Sequence, residues 1–110
     1  MPDVVWHLKL YVAGASPKSL KAFENLRLLC EEYLAGRYKI EIVDLVRAPL
    51  LARTDDIVAV PTVVRMLPAP VRKVIGDLSD TQRVLLTLQV DSSLAQSATA
   101  TPGSAAAGLG

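Results

Sequence analysis

Between residues 4 and 45 the hydrophobic period of the chain runs from two to about 3.6 and back to two, a succession that restricts the possible folds sharply. Residues 4–12 alternate. Trp6, Leu8, Leu10 and Val12 share one face, and Val5, His7, Lys9 and Tyr11 share the other, as in a strand with one more apolar side. Ala13-Gly14-Ala15 breaks the strand, and Ser16-Pro17 reads as an N-cap followed by proline at the first helical position. Over residues 17–35, Leu20, Phe23, Leu26 or Arg27, Cys30, Tyr33 and Leu34 recur at steps of three and four, which predicts an amphipathic helix capped by Gly36. Residues 39–45 alternate again, with Ile40 and Ile42 opposite Glu41 and Val43. Strand, helix and strand in so short a span form a βαβ unit, so the two strands are parallel and the crossover is right-handed.

The second half is punctuated by prolines. Ala48-Pro49 predicts a short helix through Arg53, ended by Thr54-Asp55-Asp56. Residues 61–66 are rich in β-branched side chains and read as a strand introduced by Pro61. In Leu67-Pro68-Ala69-Pro70, Pro68 and Pro70 stiffen a turn by fixing φ and removing donors. Residues 71–75 then pair back as an antiparallel strand, closed by Gly76-Asp77. Ser79 with Gln82 is a capping-box pattern, and Val84, Leu85 and Leu88, with Asp91 or Ser92 beyond them, mark one face of a last helix. From Ser92 onwards the chain is rich in Ala, Ser, Thr, Gly and Pro and carries no charge, so residues 92–110 are predicted to be a disordered tail on a 1–91 domain. The order β-α-β, short helix, β-β-α is that of a single thioredoxin-like α/β domain, with Val60-Pro61-Thr62 where that fold places a cis-proline.

Composition removes several functions. A net charge of +1 gives no global attraction to nucleic acid or to an anionic membrane. One cysteine and one histidine exclude an internal disulfide, a multi-cysteine zinc site and a His-rich metal site. No stretch reaches the roughly 18 apolar residues of a membrane span, and the first residues lack a signal-peptide pattern, so the expected location is cytoplasmic. Thiol chemistry on a thioredoxin-like fold needs a thiolate at the start of the first helix, where this chain has Ala13-Gly14-Ala15-Ser16. Cys30 falls well inside that helix and reads as a buried structural thiol. His7 reads as a strand-surface residue with no nucleophile or orienting carboxylate near it in sequence. Asp44, Asp55, Asp56 and Asp77 lack a phosphate loop and read as turn and helix-end residues rather than a magnesium site. No catalytic residue, metal or cofactor is expected.

Leu8-Lys9-Leu10-Tyr11-Val12-Ala13-Gly14 followed by Ser16-Pro17, then Ala59-Val60-Pro61-Thr62, then the run from Val71-Arg72-Lys73-Val74-Ile75 into Gly76-Asp77-Leu78-Ser79, resemble the KaiB family of circadian-clock proteins in order and spacing. The resemblance covers roughly residues 8–90. It implies a non-enzymatic protein that binds a KaiC-type ATPase ring and modulates its phosphorylation or ATPase cycle. It also implies two possible arrangements of the C-terminal half, one a thioredoxin-like monomer and the other a tetramer. KaiB-like domains also occur at the N-terminus of clock-output histidine kinases.

On the hairpin, Arg65, Arg72 and Lys73 concentrate positive charge. The resemblance makes them partner-binding residues able to pair with carboxylates, joined by Lys9 and Tyr11 from the less apolar face of the first strand. So small a cluster offers too few phosphate contacts for nucleic acid. The chain also departs from the family. Ala69 interrupts a proline run, Asp56 replaces a usual lysine, and the acidic tail is missing. Thr87 and Gln89 replace Gly and Asp. As better helix formers they predict a helix continuous over residues 81–90 and a preference for the thioredoxin-like arrangement. Pro61, Pro68, Pro70, Thr87 and Gln89 are thus the expected fold-determining positions. The rival functions are an adaptor for a histidine kinase or stress protein, and a glutathione-dependent thioredoxin-fold enzyme.

Overall fold

The structure, a computed structural model, describes residues 5–90. Its elements are β1 (Trp6–Val12), α1 (Pro17–Tyr33), β2 (Tyr38–Asp44), α2 (Leu50–Thr54), β3 (Thr62–Leu67), β4 (Arg72–Ile75) and α3 (Thr81–Leu88). The sheet has the order β2-β1-β3-β4. β1 and β2 run parallel, as the βαβ period requires, while β1 with β3 and β3 with β4 are antiparallel. The fold is the thioredoxin-like one. Val60–Pro61 is cis, as are Leu67–Pro68 and Ala69–Pro70. The region read as a disordered tail lies outside the described residues.

Strand alternation divides the molecule into two apolar clusters of unequal size. On one face Trp6, Leu8, Leu10, Val12, Val63 and Val74 pack against Ala22, Leu26, Leu29 and Cys30 of α1 and Val84, Leu85 and Leu88 of α3. On the other face Tyr11, Val43, Ile57 and Val64 form a small cluster under the α2 segment, with Leu51 and Met66 half-buried beside it. At about 25 cal/mol per Å² of apolar surface removed from water, the larger cluster dominates the stability of the fold.

The helices differ from their sequence pattern in instructive ways. Leu20 and Phe23, expected in the core, are 58% and 38% exposed. The buried stripe of α1 instead begins with the small residues Ser19 and Ala22. The N-cap Ser16 hydroxyl accepts from the Ser19 amide at 3.3 Å, and the Ser19 hydroxyl accepts from the Ala13 amide at 3.3 Å. Turning Ser19 inward rotates Leu20 out, because successive helical residues lie about 100° apart. α3 is capped not by the Ser79/Gln82 pair but by Asp80, whose carboxylate accepts from the Arg83 amide at 3.2 Å. The Ser79 amide is instead held by Asp77 at 3.0 Å.

α3 also stops at Leu88, so the expected continuity to residue 90 is not found. Gln89 is left-handed (φ 59°, ψ 40°), its amide bonds to the Leu86 carbonyl, and the Val90 amide bonds to the Leu85 carbonyl at 2.9 Å. That pair of bonds is a Schellman ending, completed by burial of both Leu85 and Val90. Thr87 lies within the helix, as expected. Gln89 does not, and at a left-handed position an Asp is better accommodated than a Gln. The argument that Gln89 favours this arrangement by helix propensity therefore fails.

Candidate protein-binding face

The five residues assigned to partner binding do not share one surface. Register places Lys9 opposite Val64, and Val64 opposite Lys73, so the two lysines flank one valine across three adjacent strands. Strands spaced by about 4.8 Å set their backbones roughly 10 Å apart. Lys9, Tyr11, Asp55, Val64, Met66, Val71 and Lys73 line a cavity of about 260 Å³ on this face, beside the small apolar cluster. Arg65 and Arg72 are opposite one another on β3 and β4 and belong to the other face. Arg72 is exposed there.

Arg65 is the clearest correction. Expected on the hairpin surface, it is only 3% exposed. Its Nη1 donates to the Leu88 carbonyl at 2.5 Å, and its Nη2 donates to the Pro70 carbonyl at 2.6 Å. The guanidinium lies 5.2 Å from the centre of the Trp6 ring. Burial, aided by the charge of Arg72, lowers its pKa from the ordinary arginine value. Its place beside Val63 on the large-cluster side was hidden because Val63 and Val64 are both apolar, so alternation sets no parity in β3.

Tyr11 is nearly buried, and its hydroxyl donates to Asp55 at 2.7 Å, which ties β1 to the end of α2. Burial first, then the bond to Asp55 and its charge, push the phenol well above its ordinary pKa, so Tyr11 acts as a neutral donor. Lys73 donates to the Asp56 carbonyl at 2.8 Å, and its Nζ lies 3.8 Å from the Asp56 carboxylate. Among the described residues Lys9 makes no ion pair. The face therefore presents two ammonium groups above a floor of Val64, Met66 and Val71. The sequence alone does not assign Asp55, Met66 or Val71 to this face. Met66 shares the face of Val64, but the paired valines leave that face undefined in the sequence, and Asp55 meets Tyr11 across 44 residues and carries no local signal.

The remaining candidates have separate structural duties. His7 does have a carboxylate near it, Glu41 at 3.3 Å on the neighbouring strand, which local sequence could not show. Asp44 accepts from the Gly14 and Val46 amides, each at 2.9 Å, and these bonds lower its pKa. Asp77 holds Ser79, which lowers its own pKa, and lies 3.9 Å from Lys21. Among the described residues no group of His, Cys, Asp or Glu is placed to hold a metal ion, and no helix is long and apolar enough to cross a membrane. Cys30 is fully buried, and that burial pushes its thiol up to about 12. A thiol so protonated and enclosed does not act as a nucleophile near neutral pH.

Among solved structures the chain is similar to the N-terminal domain of Synechococcus elongatus SasA, with a TM-score of 0.67, 18% identity and 87% and 89% of the two chains covered. It is also similar to chloroplastic thioredoxin z, with a TM-score of 0.63, 22% identity and 78% of each chain covered. These likenesses establish the fold. In sequence it is 45% identical over 89 residues to the circadian clock oscillator protein KaiB of a Synechococcus strain, covering 81% of each chain. It is 47% identical over 83 residues to the protein of that name from Nostoc punctiforme, covering 76% of this chain and 80% of that one. The KaiB domain matches residues 9–90, a span that holds the lysine face and all of the described fold after the first residues of β1, and the chain belongs to the KaiB family.

Proposed function

We propose that this protein is a non-enzymatic cytoplasmic regulator that docks on a KaiC-type ATPase and modulates its phosphorylation or ATPase cycle. The similarity to proteins named circadian clock oscillator protein KaiB carries this reading. Lys9 and Lys73 would meet carboxylates of the partner, with Met66 and Val71 supplying apolar contact. Exposed ion pairs contribute only about 0.2–1 kcal/mol each, so the charges set orientation and association rate while the apolar floor sets lifetime. Arg72, on the opposite face, belongs to this surface only if the partner wraps the β4 edge. The thioredoxin-like arrangement would be the binding form, and a self-associated form with a rearranged C-terminal half its competitor.

One observation favours a second reading, an adaptor for a different partner such as a histidine kinase. Asp56, with its side chain 90% exposed, stands where the family usually has lysine and offsets the charge of Lys73. Titration of the protein with a KaiC-type ATPase and nucleotide, followed by calorimetry and co-elution, separates the two. The first reading expects a complex weakened about tenfold or more by Lys9→Glu or Lys73→Glu, and much less by Arg72→Glu. Absence of a complex under every nucleotide condition overturns it and favours the adaptor.

A further inference from the structure

Arg65 brings together two segments that share no secondary structure. One is the Leu67–Pro70 turn that links β3 to β4, and the other is the carbonyl end of α3. Pro70 lies five residues from Arg65 in sequence and Leu88 lies 23 residues away, yet their carbonyl oxygens accept from the two Nη groups of one guanidinium. The third guanidinium nitrogen, Nε, is buried with no hydrogen-bond partner among the described residues. No carboxylate among the described residues pairs with this charge. A buried cation so placed depends on both carbonyls and on the Trp6 ring for its solvation, because each lost contact leaves charge uncompensated in a poorly polarisable interior. The Leu88 carbonyl is also one of those left unpaired at a helix C-terminus, where a cation is favourable.

We infer that Arg65 couples the β3–β4 turn to the end of α3, so that a change at either segment is transmitted to the other through one guanidinium. The turn leads directly into β4, which carries Lys73 on one face and Arg72 on the other. Occupancy of the hairpin by a partner of any chemistry would therefore alter the anchoring of α3 without touching it. The coupling stands on the geometry of Arg65 and does not depend on which partner binds.

The test perturbs the turn and reads the helix. Ala69 is exposed in the turn, and Ala69→Gly loosens it without removing any contact of Arg65. Amide hydrogen exchange is followed at Val84 to Val90, above all at Gln89 and Val90, whose amides bond to Leu86 and Leu85. With Arg65 present, Ala69→Gly is expected to speed exchange at Gln89 and Val90 about fivefold or more, the lower end of ordinary coupling energies. With Arg65→Met added, Ala69→Gly should no longer change exchange at these amides. An effect of Ala69→Gly confined to the turn overturns the inference, as does transmission that survives in the Arg65→Met background. If Arg65→Met does not fold, Arg65→Lys decides, because an ammonium lacks the fork that reaches both carbonyls. Transmission at least halved supports the coupling, and undiminished transmission overturns it.

Discussion

In the β1–α1–β2 half, the described residues with left-handed backbone are glycines, Gly14 and Gly36; from α2 to α3 they are Asp56, Leu78 and Gln89, with Gly76 the one glycine. Each non-glycine residue held left-handed costs on the order of 1–2 kcal/mol. The one buried charged side chain among the described residues, Arg65, is in this half too. In the first half backbone preference and tertiary fold agree, although the phase of α1 does not follow its bulkiest side chains. Ser16 caps α1, Pro17 starts it, Leu34 and not the expected Gly36 is its C-cap, Gly36 makes the left-handed turn just after, and β2 is parallel to β1 as the period requires. In the second half tertiary contacts override local preference, because burying Leu78 and Val90 goes with left-handed backbone at Leu78 itself and at Gln89, which neither residue favours. The lesson is one of cooperativity. A half whose local and global choices agree should persist on its own contacts, and a half that works against local preference should loosen first.

The largest effect that could break this contrast comes from two equal truncations. Leu26 and Leu88 are both fully buried, one on α1 and one on α3. Replacing either with Ala should cost about 2–5 kcal/mol, because a cavity adds to the lost transfer energy. Leu26→Ala should accelerate amide exchange throughout the sheet. Leu88→Ala should accelerate exchange in α3 and β4 well beyond that of β1 and β2. Identical exchange patterns in the two variants would show a single cooperative unit and remove the distinction between halves.

A smaller effect tests the strain itself, and its sign differs between the halves. Gln89→Gly relieves a left-handed residue at an exposed position and should stabilise the protein by about 0.5–1 kcal/mol after the greater freedom of unfolded glycine is counted. Gly36→Ala should destabilise by roughly 1 kcal/mol, since φ is 75° and a Cβ there would meet no atom within 4 Å. Its penalty is therefore backbone strain alone. Urea midpoints at constant slope measure both. A destabilising Gln89→Gly would mean that the Gln89 side chain makes a compensating contact and that the second half is less strained than its dihedrals imply.

How much was legible follows the same division. The parallel βαβ unit could be read because its hydrophobic periods are clean and its ends are marked by Ser16, Pro17 and Gly36. The helix phase could not, because the core side of α1 opens on Ser19 and Ala22 while the bulkier Leu20 and Phe23 face out. Arg65 was misplaced because two consecutive valines erase the parity of β3, and because a guanidinium can be buried when carbonyls happen to meet it. The end of α3 was misjudged because propensity counts residues as if the helix continued, whereas burial of Val90 decides where it stops. On the candidate face, alternation in β1 placed Lys9 and Tyr11 together. Only register across β1, β3 and β4 could bring Lys73 to them, and register is a tertiary fact.

The smallest expected effect compares one carboxylate from each half. Asp44 is held below its ordinary pKa by backbone amides of Gly14 and Val46, and Asp77 by its bonds to Ser79. A carboxyl whose folded pKa lies below its unfolded value adds stability above the unfolded pKa and loses it as pH falls through the folded one. Both contributions are therefore complete near neutrality, begin to fade near an unfolded value of about 4 and are gone once the pH is below the lowered folded pKa. Asp44 bridges the end of β1 to the loop after β2, whereas Asp77 braces the turn before α3 and faces Lys21 of α1 at 3.9 Å. Asp44→Asn keeps an acceptor oxygen but removes the titration, so it should flatten the acid limb of a stability–pH curve read at sites across the domain. Asp77→Asn should flatten it mainly for amides of α3 and of the first turns of α1 that carry Lys21, and an equal effect at β1 and β2 would argue that the two halves melt together in acid.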